Sequence, residues 1–283
     1  MNLSDINVVR EVMSRHGINF TKSLGQNFLI NPNVCPDMAD MSDIDENTGV
    51  IEIGAGVGVL TKELAERAKK VVCIEIDSGL LPVLGETLAE YDNIEIINAD
   101  ILKVDIHKLI AEKFEGMKVV VCANLPYYIT SPVLTHLLFS KADIECITVM
   151  IQKEVATRLC TPVGSRASGA ITVCTHYFSE PELLFNVSRG SFVPSPNVDS
   201  AVIKLNIKKT PDVKVTNQDK FFKIVKASFA QRRKTVVNSI SSSLGIPKPQ
   251  IAEILTAHDI DVNIRAEKIS LAEFAILCQE LQF

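Results

Sequence analysis

The run "GVIEIGAG" (49–56), which continues through Val57 to a third glycine at 58, decides how the chain folds. It is a short, apolar, Val- and Ile-rich segment that breaks into glycines where a strand would leave its sheet. Glycine there lets the backbone turn sharply and lets a ligand come close to the main chain. Three more runs have the same character: "KVVCIEID" (70–77), "IEIINAD" (94–100) and "KVVVCANLP" (118–126). Helical patterns separate them. "LTKELAERAKK" (60–70) sets Leu60, Leu64 and Ala68 on one stripe, and "ITSPVLTHLLFSKA" (129–142) offers Ser131 as a cap with Pro132 at the first helical position. "CITVMIQKEV" (146–155) reads as a fifth strand. This alternation predicts a doubly wound α/β sheet, whose ligands bind beyond the carboxyl ends of the strands. "ELLFNVS" (182–188) and "DSAVIKLNI" (199–207) follow with no helix between them, as an antiparallel pair at the sheet edge.

"KKTPDVKVTNQD" (208–219) is a polar, Pro-containing linker, and the remainder is helical in pattern. Two domains are expected, residues 1–208 and 209–283. In 283 residues, 47% apolar and 22% charged, no apolar run approaches the span of about 18–20 residues that a membrane helix needs. The N-terminus has no apolar signal core, so a mature cytoplasmic protein is expected. Seven cysteines carry no C-x-x-C pair, which fits a reducing compartment, and the five histidines show no zinc spacing. The formal charge of −5 argues mildly against nucleic-acid binding. However, ten Lys and Arg between Lys204 and Lys234 face only Asp212 and Asp219, and charge acts locally over a Debye length of about 8 Å.

The glycine pattern identifies the kind of cofactor. A dinucleotide fingerprint would place glycine at 59, where this chain has Val59. Gly54, Gly56 and Gly58 instead suit a nucleoside cofactor without a pyrophosphate, such as S-adenosylmethionine; the other reading is a tight structural turn. Glu75 ends the second strand, where a carboxylate can accept both ribose hydroxyls, with Asp77 a weaker candidate. Asp100 ends the third, placed to accept from an adenine amine or, alternatively, to cap a helix.

At the fourth strand end stands "NLPY" (124–127). An adenine amine is a poor nucleophile because its lone pair is delocalised into the ring. Carbonyls that accept both amine hydrogens would hold that lone pair toward a methyl donor; Asn124 offers one from its side chain and Leu125 one from its backbone. Pro126 has no N–H and a fixed φ. Tyr127 offers a flat face on which a base can stack, worth about 1–3 kcal/mol. No strong general base is required, and positioning supplies most of the rate. The plainer alternative is an Asn-Pro turn with a half-buried tyrosine.

These motifs together resemble the bacterial adenine dimethyltransferases of small-subunit ribosomal RNA (the KsgA type), over essentially the whole chain. "KSLGQNFLIN" (22–31) is similar to the family's N-terminal segment, and the resemblance implies that Asn27 and Leu29 contact the cofactor, with Gly54, Glu75, Asp100 and Asn124 at its remaining cofactor-contacting positions. "FVPSPNVDSAV" (192–202) matches its F-x-P-x-P-x-V-x-S signature, which implies that Phe192 stacks on the target adenine opposite Tyr127; a core aromatic is the alternative. "QRRKT" (231–235) and "RAEKIS" (265–270) match its C-terminal domain. There Arg232, Arg233 and Lys234 would hold RNA phosphates, or form a solvated helix face. The implied fold is a class I Rossmann-like methyltransferase sheet of seven mostly parallel strands with an antiparallel edge strand, followed by a small all-helical RNA-binding domain. The implied reaction puts two methyl groups on each of two neighbouring adenosines, splayed out of the RNA to reach the pocket. The implied partner is the small ribosomal subunit, met by a monomer, with no metal and no membrane. Two rivals are a large-subunit adenine methyltransferase of the macrolide-resistance type and an RNA-binding assembly factor with secondary catalysis.

Overall fold

The computed structural model describes residues 1–18 and 27–283. The strands are β1 (Phe28–Leu29), β2 (Thr48–Ile53), β3 (Lys70–Glu75), β4 (Ile94–Asn98), β5 (Lys118–Asn124), β6 (Cys146–Gln152), β7 (Ser179–Val187), β8 (Phe192–Val193) and β9 (Ser200–Ile207). Among the described residues, seven of them form one sheet in the order β4-β3-β2-β5-β6-β9-β7. From β4 to β6 neighbouring strands run parallel, and β9 is antiparallel to β6. The chain builds outward from β2 to β4, then returns to β5 on the other side of β2. The C-terminal ends of β2 and β5 therefore flank the point where the strand order reverses, the usual ligand crevice of such sheets. Burial of the central strands on both faces explains their continuous apolar runs, with Val50, Val72, Val120 and Val149 inaccessible to solvent.

The helices of the first half are α1 (Ile6–Arg15), α2 (Val34–Asp40), α3 (Val59–Ala65), α4 (Leu81–Thr87), α5 (Ile106–Lys113) and α6 (Thr130–Ser140). They are followed by α7 (Lys153–Cys160), α8 (Ala170–Phe178), α9 (Gln218–Phe229), α10 (Val236–Leu244), α11 (Lys248–Ala257) and α12 (Leu271–Glu280). Some boundaries differ from the sequence reading. The fifth strand stops at Gln152 because its partner β9 begins opposite it at Ser200, and α7 starts at once. α3 ends at Ala65, since Lys70 already belongs to β3. Ser131 does not cap α6, which begins at Thr130 without a side-chain cap; Pro132 still falls in the first turn, where no helical partner for its missing N–H is needed.

The chain divides into two compact units, residues 1–156 with 182–207 and residues 157–181 with 208–283. Residues 157–181, expected in the first domain, thus group with the C-terminal helices. The cause is an aromatic cluster: Tyr177 lies 5.1 Å from Phe221, and Phe178 stacks on Phe222 at 5.5 Å. The long helical run expected after residue 219 is broken at "QRRKT" into α9 and α10. Thr235 caps α10 by accepting from the Asn238 N–H, and Gln231 donates to Ser242 at 3.0 Å. In "RAEKIS", Ser270 caps α12 reciprocally with Glu273.

Candidate functional site

One cavity of about 340 Å³ opens at the carboxyl edge of the sheet in the first unit. Asn27, Leu29, Gly54, Gly56, Glu75, Asp100, Asn124, Leu125, Pro126, Tyr127 and Phe192 all line it. The remainder of "KSLGQNFLIN" up to Gln26 lies outside the described residues. Residues more than 160 positions apart meet here because the strand ends converge and because β1 pairs antiparallel with β8, setting Leu29 opposite Phe192. The Ile30 N–H donates to the Ser191 carbonyl at 2.8 Å and the Asn31 side chain to the Ser191 hydroxyl at 3.2 Å, which pins this ribbon.

At the first strand end, Gly54 and Gly56 have φ of +76° and +59°, a region that disfavours any side chain. An added Cβ at either would meet nothing within 4 Å. The backbone shape requires glycine here, and the space beside it is open to a ligand. Gly56 donates its N–H to Glu75 Oε2 at 3.1 Å, while the Asp77 N–H donates to Oε1 at 2.9 Å. Glu75 is buried, and that burial raises its pKa. The Ile76 N–H bears on the carboxylate as well, so at least one of its four acceptor positions remains for a ligand. Asp77 instead spends Oδ1 on the Gly79 N–H, capping a short turn. Asp100 caps the turn after β4, its Oδ1 accepting from the Leu102 N–H at 3.1 Å, and it also lines the cavity.

At the fourth strand end, Leu125 is tied to β6 by its N–H, which donates to the Met150 carbonyl at 3.2 Å. Among the described residues no donor reaches the Asn124 side-chain carbonyl or the Leu125 carbonyl, so both acceptors are free. The Tyr127 and Ser200 hydroxyls share a hydrogen bond of 2.7 Å, and Ser200 is fully buried, so the ring is held from the far side. Phe192 is 3% exposed and packs in the core with Leu29, Val187 and Val202 while still lining the cavity.

The sequence reading passed over several lining residues. Ile76 (59% exposed) and Leu102 sit at the rim, directly after Glu75 and two residues after Asp100. Apolar residues that follow strand-end acids are the signal that could have found them. Glu52 is a second omission, a charge inside the otherwise apolar "VIEIG". It is fully buried, accepts the Cys73 thiol at 3.2 Å, and burial pushes its pKa from an ordinary 4.5 to about 7. A carboxyl with a raised folded-state pKa contributes most below pH 4.5, and its contribution declines as pH rises toward 7. We expect Glu52→Gln, which mimics the neutral acid, to be more stable than the parent by about 3 kcal/mol at pH 8 and equal to it below pH 4.5. Urea unfolding across pH measures this, and a pH-independent difference would contradict it.

Of the basic stretch, Lys204 is buried and paired with Asp43, and Lys208 is paired with Asp212 at 2.6 Å, so neither is a free surface cation. Arg232, Arg233 and Lys234 lie in the turn between α9 and α10 and not on a helix face; all three are exposed and make no ion pair among the described residues. Among the described residues no group of three or more metal-ligating side chains is found, and no helix is long and apolar enough to cross a membrane.

Comparison with known proteins places this geometry. The family model described as Ribosomal RNA adenine dimethylase matches residues 17–282. A protein from Geobacillus sp. named Ribosomal RNA small subunit methyltransferase A is 48% identical over 277 residues, which cover 96% of this chain and 95% of that protein. Its namesake from Bacillus mycoides is 48% identical over 279 residues, 97% and 96% of the two chains. Among solved structures, a dimethyladenosine transferase from Plasmodium falciparum aligns with a TM-score of 0.74 at 27% identity, over 89% of this chain and 96% of that one. The 23S rRNA methyltransferase ErmE aligns with a TM-score of 0.68 at 26% identity, over 90% and 99%.

Proposed function

We propose residue roles at this site for a chain that belongs to the ribosomal RNA adenine dimethylase family. It is a methyltransferase that dimethylates adenosine in small-subunit ribosomal RNA, with S-adenosylmethionine as donor. The large-subunit alternative is set aside: the relatives at 48% identity are small-subunit enzymes, against 26% for the 23S enzyme.

The residues fit the donor. The cavity falls in the range of about 300–1,000 Å³ usual for small-molecule sites, the glycine turn leaves open space, and Glu75 keeps acceptor capacity. When bound, the donor supplies an electrophilic methyl group on a sulfonium. Gly54 and Gly56 let the donor approach the main chain, and Glu75 accepts its ribose hydroxyls. The second oxygen of Asp100 accepts from the adenine amine, while Leu29 of β1 and Asn27 just before it close the site. The target amine is held at the mouth by its two hydrogens, one on Asn124 Oδ1 and one on the Leu125 carbonyl. This draws the nitrogen lone pair out of conjugation. As the nitrogen bonds the methyl carbon, the carbon–sulfur bond would break and leave a neutral thioether, and the nitrogen, now acidic, would release a proton to water. Tyr127, fixed through Ser200, carries one face of the base, and Phe192, once uncovered, the other.

The observation that carries this reading is the pair of free carbonyls at Asn124 and Leu125, facing a cavity walled by glycine turn and acids. Incubation with labelled donor and unmethylated small subunits tests it. The expected product is N6,N6-dimethyladenosine at two adjacent positions near the RNA 3′ end; label confined to another base or to large subunits would overturn it.

We assign RNA holding to residues 209–283, with Arg232, Arg233 and Lys234 on phosphates, and place the protein in the cytoplasm as a monomer acting late in subunit biogenesis. Reversing both charges (Arg232→Glu with Arg233→Glu) should weaken subunit binding and flatten its dependence on log salt by roughly 0.7–0.9 for each phosphate no longer neutralised. An unaltered slope in filter binding would make this turn a merely solvated surface.

A further inference from the structure

We infer a second anion subsite beside the methyl-transfer cavity, a polar groove of about 580 Å³ in which Lys153 and Arg189 take a phosphodiester of the RNA strand flanking the target adenosine. This rests on the reading of the cavity given above and extends it to the strand that delivers the base.

The sheet places the groove. Asn124 lies opposite Met150 across β5 and β6, and β6 runs two residues further to Gln152, opposite Ser200 of β9. Ser200, next to Asp199 of the groove, shares a hydrogen bond with the Tyr127 hydroxyl of the cavity wall. The segment from Phe192 to Ser200 spans both: Phe192 lines the cavity, while Asn197 and Asp199 line the groove beside Gln152, Lys153 and Arg189. The loop is fixed by Ser195, whose hydroxyl donates to the Arg189 carbonyl at 2.9 Å.

The groove holds two cations and two carboxylates, of which only the cations lack a partner among the described residues. Lys153 and Arg189 are exposed, and neither side chain makes an ion pair or hydrogen bond among the described residues. The groove's acids are engaged: Asp199 accepts the Arg189 main-chain N–H at 3.0 Å, its carbonyl accepts that of Lys153 at 3.0 Å, and Glu154 has an interaction of its own. Two unsatisfied cations thus stand at the same sheet edge as the two free carbonyls, in a chain whose net charge is −5. A base splayed into the cavity turns its flanking phosphates toward the protein. A forked guanidinium and a point-charge ammonium suit such oxygens without reading sequence.

The test measures binding of the full-length chain to unmethylated small subunits, donor omitted, across a salt series, followed by steady-state methyl transfer. Lys153→Gln and Arg189→Gln should each reduce the magnitude of the log–log salt slope by about 0.7 and raise KM for the subunit several-fold. The kcat and the donor affinity should not move. Lys108→Gln, an exposed lysine on α5, serves as the control and should leave the slope unchanged. A wild-type slope in the double variant, or an equal reduction at Lys108, would overturn the subsite. Because binding is read without donor, failure of the wild type to transfer methyl groups would instead indict the enzymatic reading.

Discussion

Replacing Asn124 with alanine lowers kcat by about 10²–10³-fold at saturating donor and RNA, the size of effect seen when one preorganised polar group is removed from a reacting centre. Donor affinity should change only a few-fold, because Glu75, Asp100 and the glycine turn are untouched. The reason is specific to the amine: in the first transfer its two hydrogens are accepted by the two carbonyls at this mouth, which holds the lone pair out of the ring, and in the second the one remaining hydrogen still needs one of them. The substitution removes one of the two. Leu125 cannot compensate, since its backbone is fixed by its bond to Met150. Single-turnover transfer with a pre-bound donor separates this effect from binding. A rate within a few-fold of wild type would show that the carbonyl pair does not activate the amine.

Glu75→Gln raises the donor dissociation constant by about 10–100-fold in calorimetry, since charge-assisted hydrogen bonds contribute roughly 1.5–3 kcal/mol each. Both carboxylate oxygens already accept main-chain N–H groups, one from Gly56 and one from Asp77. The amide nitrogen of a glutamine must therefore face a donor, which disturbs the glycine turn as well as the ribose contact. The wild type should also lose donor affinity on acidification. Burial raises the Glu75 pKa, so the carboxylate begins to protonate at a higher pH than an ordinary glutamate, and the protonated form accepts less well. In Glu75→Gln that pH dependence should vanish. Equal affinities for the two proteins at neutral pH would remove Glu75 from the donor site.

Much of this was legible in the residues. Strands buried on both faces must be largely apolar, so β2, β3, β5 and β6 are visible as Val- and Ile-rich runs. Positive φ strongly favours glycine, so the turn after β2 shows as Gly54 and Gly56. Local patterns carry less about distant partners. Residues 157–181 read as part of the first domain because nothing in them signals that Tyr177 and Phe178 will pack against Phe221 and Phe222, more than 40 positions later. Lys204 and Lys208 read as surface charge because their partners Asp43 and Asp212 are fixed only by folding. Glu52 was hidden by its setting, one acid among apolar neighbours whose burial depends on the strands to either side. For Phe192 the sequence left two readings: the ring packs in the core and also lines the cavity, which fits a core aromatic and leaves stacking on a base to the proposal above.

The most direct measurement is a crystal structure with S-adenosylhomocysteine bound. The ribose hydroxyls should lie about 3 Å from the Glu75 carboxylate, the adenine beside Asp100, and the sulfur end toward Asn124 and the Leu125 carbonyl. A nucleoside seated away from the ends of β2 and β5, or a cavity closed to it, would contradict the account.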